Sequence, residues 1–340
     1  MSVIKLATGG LLVYAPVAPT AECLALMQAL VAAHGPVKFI ILPTASGLEH
    51  KVFVGPFARH FPEAQVFVAP HQWSFPLNLP LSWLGLPGNR TYILPANSAD
   101  TPFATEFDYD LLGPIFLGLG TFAEVAFFHR ASQTLLLTDT LISVPQEPPD
   151  IVQCDPYPLL FHAKDATDDW VVDTVANRRK GWQRIVLFSL FFRPNALGVM
   201  PLKQALTLAR QGADRSRKAY FGLYPFQWER NWQQSFKALQ GEGQPFVAPI
   251  LQTLILNRAP QDAWNWVLRV TQWEFRRIIA CHFDAPVLAN PHQFRQAFLF
   301  LEPLPSKSEK LPSSLPEDDF RLLREIEQRL IQWRILPPVP

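Results

Sequence analysis

Hydrophobic positions alternate with polar or small ones from Val3 to Pro16, in two short β-prone runs either side of Gly9-Gly10, which predicts an opening hairpin. Over 20–34, TAECLALMQALVAAH, the spacing changes to the helical period, with Thr20 as N-cap and Gly35-Pro36 as the stop. VKFIILP, 37–43, is short, β-branched and bounded by prolines, the pattern of a buried strand. The loop after it ends in Glu49-His50, an acid beside an imidazole; FVGPFARHFPE then predicts a second helix or irregular turn, and AQVFVAP a further strand. Hairpin, helix, strand, loop, helix, strand is the order of an α/β layered fold.

A β-rich block follows in PIFLGLG, EVAFFHR and TLLLTDTLIS, the last ended by Asp139. The prolines of VPQEPPD mark a boundary. Between 146 and 270 the character turns helical, as in PLKQALTLARQ and QWERNWQQSFKALQ, and seven of the ten tryptophans fall between 170 and 273. This stretch is expected to be a largely helical insertion between a first core part, 1–145, and a return to the core over 271–303, where RRIIACHFDAPV regains strand character and PHQFRQAFLFLEP closes as a helix. LPSKSEKLPSSL predicts a linker over 304–316. Ser314 to Glu317 fits a capping box, and Phe320, Leu323, Leu330 and Trp333 share one face of a C-terminal amphipathic helix over 317–336. That face can dock on its own domain, on a partner or on a membrane surface.

With 340 residues, 49% of them hydrophobic, the chain can bury a large core. A net charge of +1 lacks the global positive field of a dedicated nucleic-acid binder, so no nucleic-acid partner is expected. Cys23, Cys154 and Cys281 are odd in number and far apart, which fits a reducing, cytoplasmic setting rather than a disulfide framework. The N-terminus lacks the charged start and apolar core of a secretory signal, and IVLFSLFF, 185–192, falls well short of the roughly 20 residues that cross a bilayer. Two basic runs, NRRKGWQR (177–184) and DRSRK (214–218), suit solvated faces or, with the aromatics around them, peripheral contact with a phosphate or an anionic lipid headgroup.

The order of strand, loop with Glu49-His50, β-rich block ending TLLLTDTL and late ACHFDAP resembles the metallo-β-lactamase fold, most closely its divergent DUF4336 branch of cyanobacterial, plant and other bacterial proteins. The likeness spans roughly 1 to 303 and implies an α/β fold, a metallo-β-lactamase-like αββα sandwich with a helical Trp-rich insertion. The superfamily's metal motif is H-x-H-x-D-H, followed by a further His, a strand-ending Asp and a late His. With its last position on His50, Glu49 takes the place of the Asp, and Ala45 and Gly47 stand where two histidines belong, so the first metal site is lost. Glu49, His50, Asp139 and His282 remain as a second-site set, a donor mixture that zinc, iron or manganese accepts.

The resemblance therefore implies one divalent metal, with Asp139 as the catalytic candidate of a hydrolase acting on a small molecule. The competing readings are a metal-free, hydrogen-bonded relic of that site and a non-catalytic protein binding a ligand, a partner or a membrane surface. His129, within a strand-like run, suits a structural histidine better than a missing ligand; His71 lies after a strand and can reach the same mouth of the sheet. Cys281 beside His282 defaults to a buried inert thiol. No G-x-S-x-G elbow occurs, and GLGTFAE lacks the third glycine of a dinucleotide loop.

Overall fold

The computed structural model describes residues 1–46, 48–72, 79–212, 214–302 and 315–340. Strands β1 (Ser2–Lys5) and β2 (Leu11–Tyr14) form the opening hairpin, Ser2 pairing with Tyr14 and Lys5 with Leu11. Gly9 and Gly10 turn it at φ of 76° and 87°, a region open to glycine at no steric cost. Helix α1 (Ala21–His34) starts where the Thr20 side chain accepts from the Cys23 N–H and stops at Gly35. Then come β3 (Val37–Leu42), α2 (Leu48–Arg59), β4 (Gln65–Val68) and β5 (Thr91–Ile93), completing a five-stranded sheet in the order β1-β2-β3-β4-β5.

A second sheet begins with β6 (Phe107–Phe116), β7 (Thr121–His129) and β8 (Thr134–Leu136). The chain continues through α3 (Asp150–Gln153), α4 (Tyr157–Ala163), α5 (Val175–Phe191), β9 (Leu197–Val199), α6 (Leu202–Ala209), β10 (Phe226–Trp228), α7 (Trp232–Gln240), α8 (Pro249–Leu254) and α9 (Pro260–Val270). Strand β11 (Arg277–Ile279) then joins the second sheet, in the order β11-β8-β7-β6, before α10 (Pro291–Ala297) and α11 (Arg321–Gln332).

The two-residue period of the strands sorts side chains into three apolar cores. Leu11, Val13, Ile40 and Leu42 face α1 and α2, meeting Met27, Val54 and Phe57. Their neighbours Leu12, Tyr14 and Ile41 point the other way, into a core between the sheets with Tyr109, Val125, Phe127 and Leu136. Tyr14 and Phe127 meet there edge to face at 5.6 Å, and Phe103 packs against Phe39, Phe67 and Phe127. On the far face of the second sheet, Leu112, Phe128 and Leu135 share a third core with Trp182, Val186, Trp232, Trp264, Trp266 and Val267. The molecule is thus a mixed α/β protein with a helical layer outside each sheet. The aromatic wealth of the helical stretch fills this third core, and the indole N–H groups of Trp182 and Trp266 donate to the Pro145 and Asp110 carbonyls.

Several local expectations are corrected. QWERNWQQSFKALQ is not helical throughout: Phe226–Trp228 pairs with β9, and the helix begins only at Trp232. The Trp228 and Trp232 rings both lie 5.0 Å from the buried Arg184 guanidinium, a tertiary clamp that overrides the local helical pattern. TLLLTDTLIS is a strand only to Leu136, and Asp139 lies in the turn beyond it. The expected linker over 304–316 lies almost wholly outside the described residues, as does Ser314 of the capping box.

The C-terminal helix docks on its own domain. Phe320 packs edge to face on Phe191, Leu323 is fully buried, and the Asp319 carboxylate accepts from the Asn195 N–H at 2.7 Å. Glu327 lies 2.8 Å from Arg258, whose side chain is 1% exposed. Gly118 completes the contact from the β6–β7 turn: a Cβ there would fall 2.2 Å from the Ile335 carbonyl oxygen, so only glycine admits the tail. Removing the Glu327 carboxylate strands a buried guanidinium, so Glu327→Ala is expected to cost about 3 kcal/mol in urea unfolding, whereas Glu325→Ala on the same helix costs under about 1.

Candidate metal centre

Strands β8 and β11 run parallel, with Leu136 paired to Ile279. Asp139 and His282 each lie three residues beyond that pair, so parallel register delivers them to the same mouth although 143 positions separate them. Backbone bonds keep the two segments side by side past the strand ends: Leu137 N–H donates to Ile279, Cys281 to Thr138, and Asp284 to Ser143. The Asp139 Oδ1 and His282 Nε2 atoms then meet at 2.8 Å.

The other two residues arrive from the first sheet. Beyond β3, Thr44 bridges to Glu124 of β7, with Ala45 N–H donating to Ala123 and Val125 N–H to Pro43, which ties the sheets together at this corner. The chain then enters α2. Glu49 and His50 are therefore not in a loop, as the sequence pattern predicts, but in the helix's first turn. Val54, Phe57 and Ala58 at helical spacing bury against the sheet and carry the helix back to Leu48, while Pro56 inside it obscures the helical signal. An acid in a first turn also opposes the helix dipole favourably.

Glu49, His50, Asp139 and His282 each offer one ligand atom, and these atoms all lie within 4.8 Å of one another. Glu49 Oε1 is 3.5 Å from His282 Nε2, and the two imidazole rings are 6.0 Å apart. His50 is buried, and its Nε2 has no hydrogen-bond partner among the described residues. Two carboxylates and two imidazoles this close, one imidazole buried with an unpartnered nitrogen among the described residues, fit a divalent cation of the zinc, iron or manganese type. Ala45, three residues before the helix begins, is buried.

The electrostatics divide the two histidines. Burial pushes His50 below the usual imidazole range, whereas the bond from Asp139, aided by the charges of Asp139 and Glu49, raises His282. Burial also pushes the Cys281 thiol up to about 12, with Glu124, Asp139 and Glu49 adding to the rise, so it is a thiol and not a nucleophile. Tyr14, fully buried beneath the corner, is likewise held neutral, its hydroxyl donating to the Val125 carbonyl at 3.1 Å.

The residue that the sequence pattern does not flag is Glu124. It is 0% exposed, and its carboxylate accepts from three successive backbone N–H groups, those of Thr138, Asp139 and Thr140, at 2.8 to 3.0 Å. Burial and the neighbouring Asp139 charge raise its pKa, and hydrogen bonding from the Thr140 side chain and the Thr138 and Asp139 amides opposes the rise. The signal was present as a single acid inside the apolar run TFAEVAFF. The remaining histidines stand apart. His129, five residues along β7 and so roughly 17 Å away, bonds Ser132 and stacks on Phe107. His71 is exposed, and its neighbour Gln72 turns inward to donate to the Thr44 carbonyl at 2.9 Å.

A family model described as a domain of unknown function, DUF4336, matches residues 1–300, which include all four residues of the cluster. The chain belongs to the DUF4336 family. No curated protein matches it. The DUF4336 region ends before α11, so the docked C-terminal helix lies beyond it.

Two outcomes follow from this geometry. Glu124→Ala leaves three buried amides without acceptors and is expected to cost about 3 kcal/mol or more in urea unfolding, with Glu124→Gln, which keeps one acceptor oxygen, costing less. In chelator, the His282–Asp139 pair stabilises the fold fully below the unfolded imidazole value of about 6.5 and loses that contribution as pH rises through the raised folded value. The urea midpoint of the wild type should therefore fall from pH 6.5 upward relative to Asp139→Asn; parallel profiles would refute the pairing.

Proposed function

We propose that the chain is a hydrolase-like protein of the metallo-β-lactamase fold holding one divalent metal at Glu49, His50, Asp139 and His282. The observation that carries this is the convergence of two carboxylates and two imidazoles within 4.8 Å, one imidazole buried with a nitrogen that has no partner among the described residues. Two sheets packed face to face, helices outside both, and a cluster at the carboxyl ends of β3, β8 and β11 support the fold assignment.

An ion of this type, when bound, lowers the pKa of a coordinated water toward about 7 and so provides a nucleophile at neutral pH. The chain's own residues arrange the rest. Glu124 fixes the turn that carries Asp139, and Asp139 orients the His282 ring. Helix α2 holds His50 on the buried side, while the Glu49 side chain is half exposed, which would leave the ion open to a small-molecule substrate. With Ala45 in place of an imidazole, the donor set suits one ion rather than a pair.

The Asp139–His282 bond also favours a second reading, a polar relic that satisfies itself without metal. Mass-spectrometric metal content separates the two. Untagged protein incubated with zinc, iron or manganese is expected to retain close to one equivalent, lost in both Asp139→Ala and His282→Ala with the circular dichroism unchanged. Metal-free wild type after that incubation leaves the relic; retained metal directs screening to esters, phosphoesters and lactones.

A further inference from the structure

Helix α6 presents its apolar residues in the reverse of a core helix. Ala205 and Ala209 face the protein, whereas the larger Leu202 and Leu206 are 67% and 53% exposed. At about 100° per residue these four positions form one stripe roughly 100° wide. The protein covers only its small-residue edge.

Against the C-terminal end of α6 sits the turn Tyr220–Gly222, so close that a Cβ on Gly222 would fall 2.6 Å from the Ala209 carbonyl oxygen. Tyr220 and Phe221 both take left-handed backbone there, φ 50° and 59°, a conformation strained for bulky residues. Their side chains are nevertheless 61% and 67% exposed, Tyr220 resting only an edge on Phe161. Strain that displays two adjacent aromatics to water gains nothing from burial within the chain and points to something outside it.

The rim is basic. Lys203 and Arg210 flank Leu206 on α6, and Arg215, Arg217 and Lys218 follow in the connection to the turn, all exposed. Asp155 pairs with Lys218 at 2.9 Å, and the Asp214 carboxylate stays ionised, accepting from the Ser216 N–H, so Lys203, Arg210, Arg215 and Arg217 leave the rim net positive.

We propose that this face binds peripherally to an anionic lipid bilayer, Leu202, Leu206 and Phe221 entering the interface while the basic rim meets the headgroups. An apolar stripe with basic flanks has the form of an interfacial helix; a free phosphate would gain nothing from four exposed apolar side chains. Among the described residues no helix is long and apolar enough to cross a membrane, so the contact lies along the surface.

The full chain is tested by co-sedimentation with vesicles of phosphatidylcholine alone and of equimolar phosphatidylcholine and phosphatidylglycerol. Binding is expected on the anionic vesicles, roughly tenfold or more weaker on the neutral ones, and weakened by salt. Arg215→Glu with Arg217→Glu should reduce it by about 25-fold or more, at about fivefold per basic residue. Leu206→Gln with Phe221→Asn should also reduce it without lowering the thermal midpoint, because asparagine tolerates the left-handed backbone. Trp333→Ser on the exposed C-terminal surface should change nothing. Absence of binding to anionic vesicles, binding unaffected by both double variants, or loss through Trp333→Ser alone each overturns the proposal. So does abolition of binding by inorganic phosphate at constant ionic strength, which would identify a phosphate site instead.

Discussion

One buried carboxylate governs the geometry of the corner where the two sheets meet. Glu124 sits on β7 between the chain leaving β3, bridged at Thr44, and the turn leaving β8, whose three amides it holds. A carboxylate taken out of water is costly unless its lone pairs are satisfied, and three backbone N–H groups satisfy them here. The same bonds fix the turn, so Asp139 is set by the backbone rather than by its own surroundings. Parallel pairing of β8 with β11 then leaves His282 one position to occupy.

Negative charge accumulates as a consequence. Glu124, Asp139 and Glu49 all act on the Cys281 thiol, and Glu124 and Asp139 both act on the Tyr14 hydroxyl; each is driven further toward its neutral form. The carboxylates push both imidazoles toward positive charge, and His282, which hydrogen-bonds Asp139 and lies near Glu49, is raised by them. Burial keeps His50 from doing the same. A corner that raises one imidazole and leaves the other neutral with a bare nitrogen is electrostatically disposed toward a cation, whether that is a proton on His282 or an ion shared among the four donors.

The first sheet was largely legible in the sequence because its elements announce themselves locally: the Gly9-Gly10 turn, the Thr20 cap, the Gly35-Pro36 stop and the continuous apolar run of β3. The four cluster residues were named through a family resemblance, and the spacing between Asp139 and His282 alone carries no such information, since β8–β11 pairing is a long-range event. The sequence pattern puts Glu49 and His50 in a loop and begins a helix or turn only at Phe53, because the start of the helix is set by burial of Val54 and Phe57. The sequence pattern extends the helix back over Gln227 and Trp228 because the Arg184 clamp that holds this segment extended involves α5, far away in the chain. Glu124 was missed for the same kind of reason: its partners lie on another strand's exit turn.

The C-terminal tail shows how tertiary contacts decide which apolar faces stay available. Residues 315–340 lie beyond the family match, yet Phe320 and Leu323 join the third core, Phe320 against Phe191, while Asp319 and Glu327 engage Asn195 and Arg258. Gly118 is shaped to receive the chain that follows α11. This helix spends Leu323 and the preceding Phe320 on its own domain, while Trp333 of the predicted face stays 66% exposed. Helix α6 is the converse case, since alanines meet the protein and leucines meet water. The contrast follows from side-chain size: a helix held by Ala205 and Ala209 approaches its neighbours closely, which places Leu202 and Leu206 on the rim instead of beneath it.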